Sequence, residues 1–261
     1  NGTAAPLPGV ARREAATSAP LSWPQQRLWF LEQLEPGNDA YHLHLAFRLQ
    51  GALDAVALQA ALDDLVARHE VLGSTISLVD GEALQRPGTA APLRLARAAV
   101  DSRAQADALL REWIARPFDL ARGPPLRVLL LDVAPGDHLL LLVLHHIVTD
   151  GWSMAVLLHD LSLLYNARLA AIPARLAPLP VQYADYALWQ RDLLQSARMQ
   201  AQIEFWKQRL AAAPETVSLP TDRPRPVVQR HRGAWFRLAL PPALVDGLRA
   251  LAQREHATLF M

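Results

Sequence analysis

Two nearly unbroken apolar runs, Leu126 to Val133 and His138 to Ile147, stand either side of Ala134-Pro135-Gly136-Asp137. Runs of this length around a turn signal read as buried strands, and their order predicts an antiparallel pair at the centre of a sheet. From Tyr41 the period is two: Leu43, Leu45, Phe47 and Leu49 alternate with His42, His44, Arg48 and Gln50 until Gly51, which predicts a strand with one buried face. Elsewhere the period is helical. Ser22 is placed to cap a helix carrying Leu28, Leu31 and Leu34, ended by Glu35-Pro36-Gly37-Asn38. Asp54 is placed to cap a second, with a stripe of Val56, Ala60, Leu62, Leu65 and Val66. Ser102 and Gln105 form a capping box before Leu109, Leu110, Trp113 and Ile114, and Pro117 ends that helix. A helix over Ser153 to Leu169, a proline-rich crossing from Ile172 to Pro180, and one or two helices from Tyr183 to Leu210 follow. Pro214, Pro220, Pro224 and Pro226 then prevent regular structure before a strand near Trp235 to Leu240 and a helix near Leu244 to Arg254. Trp29, Trp113, Trp189 and Trp206 are expected to pack in the core.

Composition narrows the function classes. With 261 residues, 51% of them hydrophobic, the chain can bury a sizeable core as one large domain or two small ones. Lys+Arg 26 against Asp+Glu 25 leaves a net charge of +1, no footprint for nucleic acid or an anionic membrane. The absence of cysteine removes disulfides, thiolate catalysis and cysteine metal sites together. Residues 1–20 hold Arg12-Arg13 but no apolar core for a signal peptide, and no run approaches the roughly 18 apolar residues of a membrane span. These features fit a soluble, cytoplasmic protein, with 1–20 as an interdomain linker and Arg223, Arg225, Arg230 and Arg232 as solvated linker surface.

The candidate chemistry sits where the second apolar run ends, in His145-His146-Ile147-Val148-Thr149-Asp150-Gly151-Trp152. Successive side chains of a strand point to opposite faces, so one imidazole faces a cavity and the other packs inside. His146 and Asp150 are spaced as two metal ligands on a helix would be, but the preceding residues argue for a strand and no third ligand is evident, so no metal is expected. The glycine after Asp150 allows close backbone approach, and N–H groups at a helix start near Ser153 can stabilise developing negative charge. An imidazole beside such donors suits acyl transfer. No Gly-x-Ser-x-Gly elbow is present, which points to an acceptor brought by the substrate.

His145 to Ser153 resembles the HHxxxDGWS signature of condensation domains of nonribosomal peptide synthetases and, more broadly, the HHxxxDG acyltransferases related to chloramphenicol acetyltransferase. Further matches occur in order. Ser22-Trp23-Pro24-Gln25-Gln26-Arg27-Leu28-Trp29 is similar to SxAQxRLW, with Pro24 in place of the usual Ala. Arg68-His69-Glu70-Val71-Leu72 is similar to RHExLRT up to Gly73-Ser74-Thr75, which departs from it. Pro117-Phe118-Asp119-Leu120 and Gly123-Pro124-Pro125-Leu126-Arg127 resemble the stretch before the central hairpin. Tyr183 to Gln190 resembles YxDYAxWQ, and Leu219 to Pro226 the segment after it.

The resemblance implies an α/β (α+β sandwich) fold, a chloramphenicol acetyltransferase-like lobe with a mixed, largely antiparallel sheet covered by helices. It implies an N-terminal lobe over 21–213, a Pro-rich connector over 214–229 and, from 230 to 261, the start of a second lobe; a tunnel between the lobes would hold the site. The implied reaction is attack by the amino group of an acceptor aminoacyl thioester on the carbonyl of a donor thioester. Both would ride on phosphopantetheine arms of donor and acceptor carrier domains, beside a neighbouring adenylation domain, with no cofactor bound by the chain itself. His146 would accept a proton from the amine or hold it in line, and the Gly151 N–H is a candidate donor to the oxyanion. Asp150 would bind an arginine and fix the turn, with Arg68 and Arg127 as candidate partners, since Gly73 replaces a second arginine of the family. His145, Trp152 and Ser153 would support the site, and they favour the condensation type over cyclisation and epimerisation types. A carrier-docking lobe without catalysis, an epimerisation-type domain and a free-standing acyltransferase using coenzyme A are the alternatives.

Overall fold

Both leucine-rich runs lie at the middle of a four-stranded sheet in the computed structural model, which describes residues 7–14, 17–214, 216, 220–224, 227 and 236–261. The strands are β1 (Ala19–Pro20), β2 (His42–Gln50), β3 (Thr75–Val79), β4 (Glu82–Arg86), β5 (Leu95–Ala99), β6 (Leu126–Ala134) and β7 (Asp137–His145). The helices are α1 (Trp23–Leu34), α2 (Ala55–Arg68), α3 (Arg103–Ala115), α4 (Gly151–Leu169), α5 (Tyr183–Gln195), α6 (Ala197–Leu210) and α7 (Pro242–Arg254). The large sheet runs β2-β7-β6-β5, antiparallel except for the parallel β5–β6 pair, and a smaller antiparallel sheet runs β1-β4-β3. At the β6–β7 turn, Gly136 takes φ +70°, a left-handed conformation that glycine adopts without strain.

Strand parity divides the core into two layers. On one face Leu126, Val128 and Leu130 of β6 and Leu140, Leu142 and Leu144 of β7 meet Leu62 and Leu65 of α2 and Leu157, Leu161 and Leu164 of α4. On the other, Leu129, Leu131, Leu141 and Val143 meet Ala106 of α3, with Leu28 and Trp29 of α1 packed against them. A strand covered on both faces has no polar side to show, which is why β6 and β7 are almost wholly apolar. β2, at the edge, keeps its alternation after the buried His42, with half-buried Leu43, Leu45, Phe47 and Leu49 alternating with exposed residues.

The caps expected of Ser22, Asp54 and Ser102 are present. Gln105 departs from its expected role: its side chain accepts from the Asp101 N–H rather than from Ser102. α5 and α6 divide the Tyr183 to Leu210 stretch at Ser196, which caps α6 through its hydroxyl. β3, β4 and β5 carry no clear signal in the sequence, being only five residues each with weak alternation. Residues 236–240 form no strand, and Trp235 lies outside the described residues, as do Arg225, Arg230 and Arg232. Trp29, Trp113 and Trp189 are half-buried, but Trp206 is 56% exposed, because α6 has no buried residue.

The reading of 1–20 as a linker is corrected for its described part. Ala19–Pro20 pairs with β4, and the Pro8 carbonyl accepts from Trp189 Nε1 at 2.7 Å. Arg13, its side chain 7% exposed, donates to Asp185 at 2.8 Å and to Glu70. Backbone pairing and a buried ion cluster hold this segment in place of apolar periodicity, so its composition resembles that of a free linker. The chain divides into two compact units, Asn1–Pro214 and Glu215–Met261, the second containing α7. No helix of the described residues is long and apolar enough to cross a membrane.

Candidate active site

β7 ends at His145, and the turn that follows delivers the two imidazoles to opposite layers. His145 continues the parity of Leu141 and Val143, is fully buried, and lies 6.2 Å from the His42 ring and 6.0 Å from the Phe118 ring, centroid to centroid. Its Nδ1 accepts from the Ile147 N–H at 3.1 Å, so the neutral ring carries its proton on Nε2. That Nε2 has no hydrogen-bond partner among the described residues; Glu32 Oε2 stands 3.7 Å away. Burial, with His42 and His146 adding to it, pushes the His145 imidazole down to about 4, and burial pushes the Glu32 carboxyl up.

His146 faces the other way and lines a pocket of about 650 Å³ between α1, α4 and the segment 179–186. Its Nδ1 lies 2.6 Å from the Thr149 carbonyl oxygen, which can only accept, so the proton sits on Nδ1 and Nε2 keeps a free lone pair. Besides the backbone bonds from His146 N to Tyr41 O and from Val148 N to His145 O, three side-chain bonds fix the turn: the His145 ring on Ile147 N, Thr149 O on the His146 ring, and Gln25 Nε2 on Ile147 O at 3.2 Å. Gln25 is buried, and its Oε1 accepts from Ser22 N at 3.0 Å and from Gln85 Nε2 at 3.2 Å, tying the start of α1 and the small sheet to this turn. It completes a capping box with Ser22, and its reach to a residue 122 positions away leaves no mark in the sequence.

Asp150 has a different role from the one expected of it. Its Oδ1 accepts from Ser153 N at 2.8 Å and Ser153 Oγ at 2.6 Å, making it the N-cap of α4, which starts at Gly151 rather than near Ser153. These bonds hold its carboxyl below the usual carboxylate range. Neither proposed arginine reaches it. Arg68 donates to Asp160 at 2.8 Å, and His69 Nε2 bonds the same oxygen, so the cluster joins the end of α2 to α4 about 15 Å along the helix from its cap. Burial opposes ionisation of Asp160, but the Arg68 and His69 bonds outweigh it and its carboxyl is lowered.

Arg127 pairs with Val143 across β6–β7 and therefore sits on the His145 face. Its guanidinium lies 3.9 Å over the Phe118 ring and donates to Pro117 O at 3.1 Å. Burial and neighbouring Arg116 depress it to about 10. At Gly73, where the resembled motif has an arginine, a Cβ would sit 3.0 Å from Val66 Cγ1, a tight contact.

Trp152 is 84% exposed at the rim of the His146 pocket. Gly151 lines an adjoining shallow cleft with Trp152, Val156 and His159, and a Cβ on it would meet nothing within 4 Å. No internal contact demands glycine at 151, so the space it leaves is available to a molecule from outside. As the first residue of α4, Gly151 has an N–H without an intrahelical acceptor. Among the described residues no three His, Asp or Glu side chains are placed to hold a metal.

A family model described as "Condensation domain" matches residues 15–261. One of the linear gramicidin synthase polypeptides of Brevibacillus parabrevis is 46% identical over 248 residues, 93% of this chain and 3% of that polypeptide. Phosphinothricin tripeptide synthetase PhsC of Streptomyces viridochromogenes is 43% identical over 267 residues, 98% of this chain and 24% of that protein. The chain thus spans a small part of these curated relatives. Among solved structures, the X-domain from teicoplanin biosynthesis superposes with TM-score 0.85 at 33% identity, over 96% of this chain and 56% of that one. The first condensation domain of the CDA synthetase shares the fold, with TM-score 0.72 at 24% identity over 94% of this chain and 59% of that one. From its two-layered α/β lobe to its HHxxxDG turn, the chain belongs to the condensation-domain family of nonribosomal peptide synthetases.

Proposed function

We propose that this chain forms the first lobe and the start of the second lobe of a domain that joins two thioesters into an amide. The donor is an acyl or peptidyl thioester and the acceptor an aminoacyl thioester. Both are carried on phosphopantetheine arms of carrier domains, and a neighbouring adenylation domain charges the acceptor carrier. The observation that carries this reading is the His146 ring, whose Nδ1–H is spent on Thr149 O while Nε2 keeps its lone pair in a pocket the ring lines.

The acceptor nitrogen attacks the thioester carbonyl carbon, forming the C–N bond and an oxyanion. The proton shed by the ammonium passes to His146 Nε2, and the resulting imidazolium is stabilised through Nδ1–H by Thr149 O. Collapse breaks the C–S bond, and the departing thiolate takes up the proton. A base so placed contributes roughly 10² to 10⁴ in rate, about 3 to 5 kcal/mol. An α-amino group with pKa near about 7.7 is already partly neutral, so holding the amine in line contributes alongside proton acceptance. The free N–H of Gly151 at the start of α4 is the proposed oxyanion donor.

Likeness to the teicoplanin X-domain, also solved in complex with OxyB, favours a second reading as a lobe that docks a partner protein. Mass spectrometry of products from the complete domain with loaded donor and acceptor carriers separates the two. Amide formation that His146→Ala abolishes is expected. A complete domain that makes no amide, or a folded His146→Ala variant with near-normal turnover, would overturn the catalytic reading.

A further inference from the structure

We infer that the pocket beside His146 accepts an uncharged, apolar side chain on the α-carbon of one of the two thioesters, and rejects an anionic one. This rests on the amide-forming reading above and gives its substrate a chemical class.

Leu28, Val148, Val156, Leu157, Leu179 and Val181 give the pocket wall apolar surface from α1, the catalytic turn, α4 and the crossing before α5. Most of the polar lining is already bonded within the protein, leaving the Asp150 carboxylate as its one charged group without a cationic partner among the described residues. Gln25 is bonded to Ser22, Gln85 and Ile147; Gln182 accepts from Glu70 N and donates to Arg68 O. Tyr183 OH pairs with Ser22 Oγ at 3.0 Å, and Tyr186 OH accepts from Gln190 at 3.1 Å. The Thr149 hydroxyl donates to Met154 Sδ, Ser153 Oγ donates to Asp150, and His69 Nε2 is bonded to Asp160. The wall therefore keeps His146 Nε2 for the reacting nitrogen and offers the rest of the ligand apolar surface.

Its volume of about 650 Å³ is ample for a branched aliphatic or aromatic side chain. A carboxylate in the same place would lose water and gain no cationic partner, and it would stand near the Asp150 carboxylate, which lines the pocket and is bonded to Ser153. Reaction geometry brings the α-carbon substituents of both thioesters within a few ångströms of the new C–N bond, so the same chemistry can come from either substrate.

The test uses the complete domain in two series, one varying the acceptor on its carrier through glycyl, leucyl, phenylalanyl, glutamyl and lysyl, the other varying the donor likewise. In one series kcat/KM for amide formation should rise at least tenfold from glycyl to leucyl or phenylalanyl, at roughly fourfold per buried methylene. In that series it should fall at least about a hundredfold for glutamyl and less far for lysyl, whose ammonium can meet the Asp150 carboxylate. Val156, 41% exposed on the pocket wall, is the side chain to change. Val156→Lys should recover glutamyl transfer at least tenfold without helping lysyl, whereas Val156→Leu keeps the apolar preference. Flat profiles in both series, or a Val156→Lys variant with unaltered selectivity, would overturn the inference while leaving amide synthesis standing. If no pair gives an amide, calorimetric titration with leucyl and glutamyl pantetheine thioesters reads the pocket directly. Tighter leucyl binding supports the inference, and equal affinity sinks it.

Discussion

On the α1/α3 side of the sheet, His145 is fully buried among His42 and Phe118, its Nδ1 filled by a backbone N–H. One residue later, past the end of β7, His146 lines a pocket between α1, α4 and the segment 179–186, with its Nε2 lone pair free. Strand parity sends neighbouring side chains to opposite layers, and that separates the rings before any chemistry does. The turn then fixes their tautomers in opposite senses. Ile147 N–H donates to the first ring and forces its proton onto Nε2; Thr149 C=O accepts from the second and forces its proton onto Nδ1. The buried ring holds the turn and the turn holds the half-buried ring, so under the proposed reaction the first is support and the second tool.

The sharpest way to break this comparison is to remove each ring in turn. His146→Ala in the complete domain should lower amide formation by roughly 10² to 10⁴ while leaving the melting temperature within a degree or two. His145→Ala should do the reverse first. Emptying a fully buried site and stripping Ile147 N–H of its acceptor should cost about 3 kcal/mol of stability, read by denaturant unfolding. A His145→Ala variant as stable as the parent but inactive would erase the distinction between support and tool.

Much of the difference is legible in the sequence. An unbroken apolar strand ending in two histidines predicts that only one can face the site. The following helix is legible too, but its expected start near Ser153 is two residues late, because a carboxylate taken as an arginine's partner is not counted as a cap. Asp150, Arg68 and Arg127 are where sequence and structure part. Their partners lie on other elements, and only the strand register that puts Arg127 with Val143, or the helix packing that brings Asp160 to Arg68, decides who meets whom. Gln25 and Arg13 escape for the same reason: a long-range hydrogen bond leaves no period in the chain.

Acid should bring out the same contrast in stability. His145 is held to about 4 in the fold, below its value near roughly 6.5 in an unfolded chain, so its contribution is complete above pH of about 6.5 and is lost progressively as pH falls toward about 4. His42, depressed by burial, acts in the same direction; Glu32, raised by burial, acts in the opposite one. The carboxylates lowered by their partners, Asp150, Asp160 and Asp185, weaken the fold only as pH drops through the acid range below their unfolded values. Unfolding free energy should therefore decline by about 2 to 3 kcal/mol between about pH 6.5 and pH 4, and His145→Gln should flatten that slope. A variant with the parental slope would place the titration elsewhere.

The smallest effect expected is at Asp150, and it is diagnostic because two accounts of that residue disagree about it. If the carboxylate acted through its charge, Asp150→Asn would cost both stability and rate. As the N-cap of α4 it acts through an acceptor oxygen held on Ser153 N and Oγ, and asparagine supplies such an oxygen about as well. Asp150→Asn should thus be nearly neutral in melting temperature, whereas Asp150→Ala should lose about 1 kcal/mol. Fraying the first turn of α4 would also blur the positions of Gly151 and of the turn that orients His146, so Asp150→Ala should lower kcat more than it changes KM. A charge-dependent role would be revealed by an Asp150→Asn variant that falls as far as Asp150→Ala, and the support of His146 would then have to be assigned to the carboxylate itself rather than to the helix it starts.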